Sequence, residues 1–264
     1  MRKALNISFL FILLLAIIVL PAFTDMEHQH KPYRDFRIEI LNPSAQAMIT
    51  SEEIENLVRK HFGEIKGSPA SVIDLVKLEQ IVQDNPYVSA CEVYKTMECD
   101  LVLKATVRQP LVRIINENDE QFYLDLTGCA MPLNPAHPSH VPIANGKITD
   151  HLMSLDKSEK PLSSFPEKSV LHEIYPVAYY ISQDGFLKSF IDQIYIHDNL
   201  EMELVPKIGK QIILIGNAEN AREKLENLRI FYKEVMRKID WNEYKLINLK
   251  YSNQVVCLKN INYE

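Results

Sequence analysis

A chain of 264 residues with a net charge of −6 and 24% charged residues carries neither the basic surface of a nucleic-acid binder nor that of a protein drawn to anionic lipid. Its 47% hydrophobic content can bury a sizeable core, and its 7 glycines leave little material for glycine-rich phosphate loops.

The first element is an apolar run from Met1 to Phe23, broken only by Asn6 and Ser8 once Arg2 and Lys3 are passed. About 20 residues at about 1.5 Å each span roughly 30 Å, the thickness of a bilayer's hydrocarbon core. Basic residues precede it and Asp25 and Glu27 follow, so the positive-inside rule places the N-terminus in the cytoplasm and the bulk of the chain outside. The alternative is a cleaved signal peptide. Pro21-Ala22-Phe23-Thr24 lacks a small-x-small cleavage site, which favours an uncleaved transmembrane anchor over residues 1–24. The polar stretch that follows reads as a juxtamembrane linker over residues 25–35. His28 and His30 within it lack a further ligand nearby, so a solvated linker is the simpler reading than a metal site.

Phe36 to Leu41 alternates in polarity and predicts a strand. Asn42-Pro43 ends it. Thr50 and Glu53 form a capping box ahead of a helix running to about His61, with Ile54, Leu57, Val58 and Phe62 on its apolar face. Asp74 or Ser71 caps a second helix lined by Leu75, Leu78, Ile81 and Val82, and Asn85-Pro86 stops it. Val88 to Tyr94 and Leu101 to Val107 are two β-rich runs joined by Thr96 to Asp100, a hairpin closed off by Pro110. The order is strand, helix, helix, strand, strand over residues 36–110.

Leu111–Ile115 and Gln121–Leu126 predict another hairpin. Pro132 to Pro142 holds four prolines and reads as an irregular connection. Met153 to Pro166 is polar and loop-rich. Glu167 to Phe190 has helical spacing interrupted by Pro176, which predicts a kink or two helices. Ile191–His197, Glu201–Pro206 and Gln211–Ile215 are three short strands, with Gly209 at the second turn. Asn217 is positioned to cap a long helix to about Ile239, with a stripe of Ala221, Leu225, Leu228, Tyr232, Val235 and Ile239. Tyr244–Tyr251 and Gln254–Lys259 close the chain as a hairpin turned at Ser252-Asn253. The fold class is α+β: a β-α-α-β-β domain, then a mixed β-meander domain with helices over residues 111–260 and a tail over 261–264.

No G-x-S-x-G, H-E-x-x-H, P-loop or C-x-x-C is present. His137 and His140 sit in the proline-rich loop and would need metal ligands from elsewhere. The reading therefore assigns no catalytic residue, cofactor, metal or small-molecule substrate. With a turn near Met97-Glu98, Cys91 falls opposite about Lys104, and Cys99 lies about 16 Å along the strand. A disulfide tolerates a Cα separation of no more than about 7 Å, so no Cys91–Cys99 bond is expected. Cys129 and Cys257 are neither paired nor excluded on sequence grounds.

The β-α-α-β-β order behind an apolar anchor, with Pro86-Tyr87-Val88 after the second helix and Arg108-x-Pro110 after the last strand, resembles the POTRA domain of the FtsQ/DivIB family of bacterial cell-division proteins. Downstream, Leu124-Asp125-x-x-Gly128 is similar to the family's L-D-x-x-G segment, and Asn248-Leu249-Lys250-Tyr251-x-Asn253 to its D-L-R-Y-x-N. Val107 stands where the family often has a carboxylate, and Glu98 where it often has Pro or Gly. The resemblance implies a non-enzymatic scaffold in the inner membrane, at the septum, that recruits other divisome proteins, notably an FtsB–FtsL pair. A membrane-anchored envelope enzyme and a POTRA-bearing transport or assembly factor are the alternatives. The family binds its partner beside the terminal strand, which makes Tyr251, Val255, Val256 and Cys257 candidate partner contacts, and Val256→Pro the substitution expected to remove an edge donor.

Overall fold

The computed structural model describes residues 31–42, 48–152 and 160–260. The expected anchor over residues 1–24, His28 and His30, and the tail over 261–264 lie outside them. Among the described residues no helix is long and apolar enough to cross a membrane. These residues form two compact units. The first ends at Val107 and the second begins at Arg108, with Met48 counted in the second.

The first unit is built as its sequence periods dictate. Strand β1 (Phe36–Ile40) leads to helix α1 (Ser51–Phe62), where Thr50 and Glu53 form the reciprocal capping box. Asp74, rather than Ser71, caps α2 (Leu75–Gln83) by accepting from the Lys77 amide. The hairpin of β2 (Val88–Lys95) and β3 (Leu101–Val107) follows, and β3 is the central strand: β1 joins it in parallel and β2 antiparallel. Leu101, Leu103 and Ala105 on β3 are fully buried with Ile54 and Val58 of α1 and Leu78 and Val82 of α2. The hairpin loop is an odd five residues, Thr96–Asp100, with Cys99 left-handed at φ 66°. Cys91 therefore pairs with Ala105, one residue beyond the expected Lys104. All four cysteines are free thiols.

The expected linker runs to residue 35, but its end belongs to this unit. Tyr33 is 2% exposed, and its backbone exchanges hydrogen bonds with Gly67 and Ser68. Arg34 and Arg37 both pair with the fully buried carboxylate of Asp100, whose pKa they hold below the usual range, Arg34 foremost.

The second unit is one ten-stranded mixed sheet. Its strands are β4 (Pro110–Ile115), β5 (Gln121–Asp125), β6 (Cys129–Pro132), β7 (Ile143–Gly146), β8 (Lys160–Pro161), β9 (Ile191–Ile196), β10 (Met202–Pro206), β11 (Ile212–Gly216), β12 (Tyr244–Asn248) and β13 (Val256–Lys259). Their spatial order is β13-β12-β11-β10-β9-β7-β4-β5-β6-β8. The expected meander is corrected by three parallel pairs, β4–β7, β7–β9 and β11–β12. Long connections make such pairs possible, helical for β7–β9 and β11–β12 and through β5 and β6 for β4–β7, and strand periods alone do not reveal them. At Gly146 the backbone takes φ +99°, and any Cβ there would collide with the Ile196 carbonyl of β9.

Helix α3 (Leu171–Gln183) runs through Pro176, and the break falls later, at Asp184. Proline removes one amide donor, but Ile174, Val177, Ala178 and Ile181 are buried on both sides of it and hold the helix on the core. Asp184 then caps α4 (Gly185–Phe190), accepting from the Phe186 and Leu187 amides. Helix α5 (Ala221–Phe231) starts after Asn220, which is left-handed at φ 53°, and not after Asn217. The Asn217 side chain instead accepts from Lys224 Nζ. A π-helical turn, Tyr232–Met236, ends the segment. Its wider turn shifts the apolar stripe by one residue, so Met236 is fully buried where Val235 was expected. Val112, Ile114, Ile194, Leu204, Ile213 and Ile247 of the sheet pack with these helices in one core. At the start of the unit Arg108 and Asp125, both named by the family patterns, form an ion pair at 2.8 Å with side chains 3% and 2% exposed. The other Asp125 oxygen accepts from Thr127 N, Thr127 Oγ1 and Cys129 N.

Candidate functional site

The terminal strand β13 stands at one end of the ten-stranded order and pairs antiparallel with β12. The hairpin differs from the expected one. Strand β12 stops at Asn248 and β13 starts at Val256, so Tyr251 lies in the connecting loop and not in a strand. In the register, Val256 faces Asn248, Cys257 faces Ile247 and Leu258 faces Leu246.

Which groups face away from β12 follows from two hydrogen bonds. Leu249 N donates to Leu214 O of β11, so along β12 the main-chain groups of Leu246 and Asn248 point the other way, to β13. Beyond the hairpin's far end Asn260 N donates to Glu243 O, which gives β13 the same phase. Val256 and Leu258 therefore sit in the hydrogen-bonded ladder with β12, while the N–H and C=O groups of Cys257 and Lys259 point outward. This corrects the expectation for Val256→Pro: that change breaks a bond within the sheet. Cys257→Pro is the substitution that removes an edge donor.

The side chains divide by the same alternation. Val255 and Cys257 pack against the core, Cys257 opposite the fully buried Ile247. Burial pushes the Cys257 thiol pKa up, so it is a small apolar group rather than a nucleophile. Val256 (43% exposed), Leu258 (54%) and Tyr251 (52%) face solvent. Of the four residues singled out from sequence, the structure thus places Tyr251 and Val256 outward and Val255 and Cys257 inward. Leu258 was missed; the period-two step from Val256 is the signal that finds it once the phase is known. The exposed row continues through half-buried Leu246 and Ile212, which are register neighbours across β12 and β11.

The surroundings are charged but paired. Lys259 meets Glu243 at 3.0 Å, and Lys250 meets Glu201, whose carboxyl it holds below the usual range. Gly216, at φ +75°, lets the Lys250 stem lie against the end of β11, where a Cβ would approach its Cγ to 2.9 Å. Among the described residues no group of three His, Cys, Asp or Glu side chains is placed to hold a metal ion. What the edge offers is main-chain hydrogen bonding flanked by apolar side chains, the requirement for accepting an added strand.

A family model described as FtsQ/DivIB, C-terminal related, matches residues 109–258, and a POTRA-like domain model matches residues 33–106. No curated protein matches the chain. The first match covers more than half of the sequence and coincides with the sheet that carries the edge, and the second coincides with the β-α-α-β-β unit. The chain belongs to the FtsQ/DivIB family.

Proposed function

We propose that this cell-division family member is a non-enzymatic scaffold that recruits and links divisome proteins at the septum. In this reading residues 1–24 anchor it in the bacterial inner membrane with the N-terminus cytoplasmic and the bulk periplasmic. The partner is an FtsB–FtsL-type pair, which adds a strand to β13. The observation that carries the reading is the outward-pointing backbone of Cys257 and Lys259 on a terminal strand whose exposed face is Val256 and Leu258. Tyr251, in the loop before that strand, supplies a further aromatic contact.

The test is capture of a co-expressed FtsB–FtsL-type pair by the tagged full chain, against the Cys257→Pro variant. Loss of capture by a folded variant supports the reading; capture at the wild-type level rejects the terminal strand as the docking edge. Orientation has its own test. A reporter enzyme active only in the periplasm, fused after Glu264, is expected to work, and activity of a cytoplasmic reporter in its place would reverse the topology.

A further inference from the structure

At the opposite end of the strands, within the second unit, a groove of about 910 Å³ lies between the starts of β4, β7 and β9 and the ends of α3 and α4. Its floor is apolar: Leu111 and Ile181 are buried and Leu126 is half-buried. Its rim is basic, with Arg113, Lys188 and Lys207 against one acid, Asp192. This is unusual in a chain with net charge −6 and 35 acidic residues. Among the described residues Lys188 and Lys207 make no ion pair, so both ammonium groups are open to a ligand. The half-buried Arg113 donates from its terminal guanidinium nitrogen to the neutral amide of Gln121, and among the described residues no carboxylate pairs with it. A guanidinium matches the two oxygens of a carboxylate with its fork.

We infer that this groove binds an extended acidic peptide segment of a partner protein, its aliphatic side chains on Leu111 and Ile181 and its carboxylates on Arg113, Lys188 and Lys207. The volume lies at the upper end of the range of ligand pockets, about 300–1,000 Å³. The inference stands apart from the β13 reading, since none of these residues belongs to β12 or β13.

The experiment uses the full chain in neutral detergent and a short fluorescent peptide alternating glutamate and leucine, followed by anisotropy. Saturable binding that weakens with added salt is expected. Lys188→Glu combined with Lys207→Glu, both at exposed positions, should weaken it about tenfold or more while leaving the melting temperature in place. A lysine–leucine peptide should not bind, and a glutamate–serine peptide should bind more weakly because it leaves the floor uncovered. Cys257→Pro should bind the peptide as wild type does, which separates this groove from the terminal edge. Unchanged binding by the double variant, equal binding of the glutamate–serine peptide, or displacement by inorganic phosphate beyond that by chloride at equal ionic strength would each overturn the proposal.

Discussion

The ten-stranded sheet has two ends, and they are finished differently. At one, β8 is two residues long, pairs only with Cys129 and Ala130, and ends in Pro161, which has no amide to offer. Its Lys160 ammonium lies 4.1 Å from the centre of the Phe165 ring, and a 3₁₀ turn, Leu162–Ser164, carries the chain away. At the other end β13 is four residues long, contains no proline, and exposes Val256 and Leu258. A short strand, a proline and a charge are the usual means of blunting an edge against unwanted pairing. Among the described residues one end has all three and the other has only Lys259. This difference among the described residues is the physical basis for reading β13 as a docking strand.

The largest expected effect comes from damaging the body of the sheet rather than either end. Arg108→Ala or Asp125→Ala strands a buried charge and should destabilise the second unit by about 3–5 kcal/mol. A urea titration would show it, and partner capture should be lost together with the fold. If Asp125→Ala keeps its urea midpoint, the pair is not the structural node inferred from its burial. A smaller loss is expected for Val256→Pro, which removes a ladder bond and leaves the Asn248 carbonyl short of its partner, about 1–3 kcal/mol. Hydrogen exchange at Leu258 should then rise. Unaltered protection would mean that the phase of β13 is the reverse of the one deduced here.

Changes that touch only the exposed side chains sharpen the contrast between the ends. Leu258→Asp should shift stability by no more than about 0.5 kcal/mol, because the side chain is 54% exposed, yet should weaken partner capture. Lys160→Asp at the blunted end should leave capture unaltered; equal loss from both would erase the distinction.

The effect that vanishes at neutral pH is a pH dependence in the first unit. Burial raises the Cys91 thiol pKa from 9.0 to about 12, so above pH 9 the unfolded chain gives up this proton first. Unfolding is therefore favoured as pH rises from about 9 towards about 12, and the contribution is absent at neutral pH. Cys91→Ala should show a shallower loss of urea midpoint over that window than wild type. Parallel curves would show that Tyr and Lys titration accounts for all of it.

Local signals were legible in the sequence because local physics made them. The Thr50–Glu53 box, the Asp74 cap, the Asn85-Pro86 stop and the alternation of Leu101 to Val107 each depend on residues within one turn or one strand of each other. What was not legible depends on contacts far along the chain. Pro176 looks like a helix break until the buried residues around it are seen to hold the helix. The π turn at Tyr232–Met236 has no short-range signature, and it moves the buried position from Val235 to Met236. The parallel pairs of the large sheet join strands separated by helices or whole hairpins. For the candidate edge, sequence reading located the strand but not its phase. That took the Leu249–Leu214 and Asn260–Glu243 hydrogen bonds, and it exchanged Cys257 for Val256 as the informative proline site while adding Leu258 to the exposed face.

A docking role for β13 turns on the outward-facing amide of Cys257. The decisive measurement is capture of an FtsB–FtsL-type pair by full-length Cys257→Pro, with its urea midpoint recorded alongside. With an edge donor removed, the variant's stability should stay within about 1 kcal/mol of wild type. Its capture should fall about tenfold or more, since each main-chain bond denied to the incoming strand contributes about 1 kcal/mol and the proline ring obstructs its approach. Wild-type capture by a folded Cys257→Pro chain would rule out β13 as the docking strand.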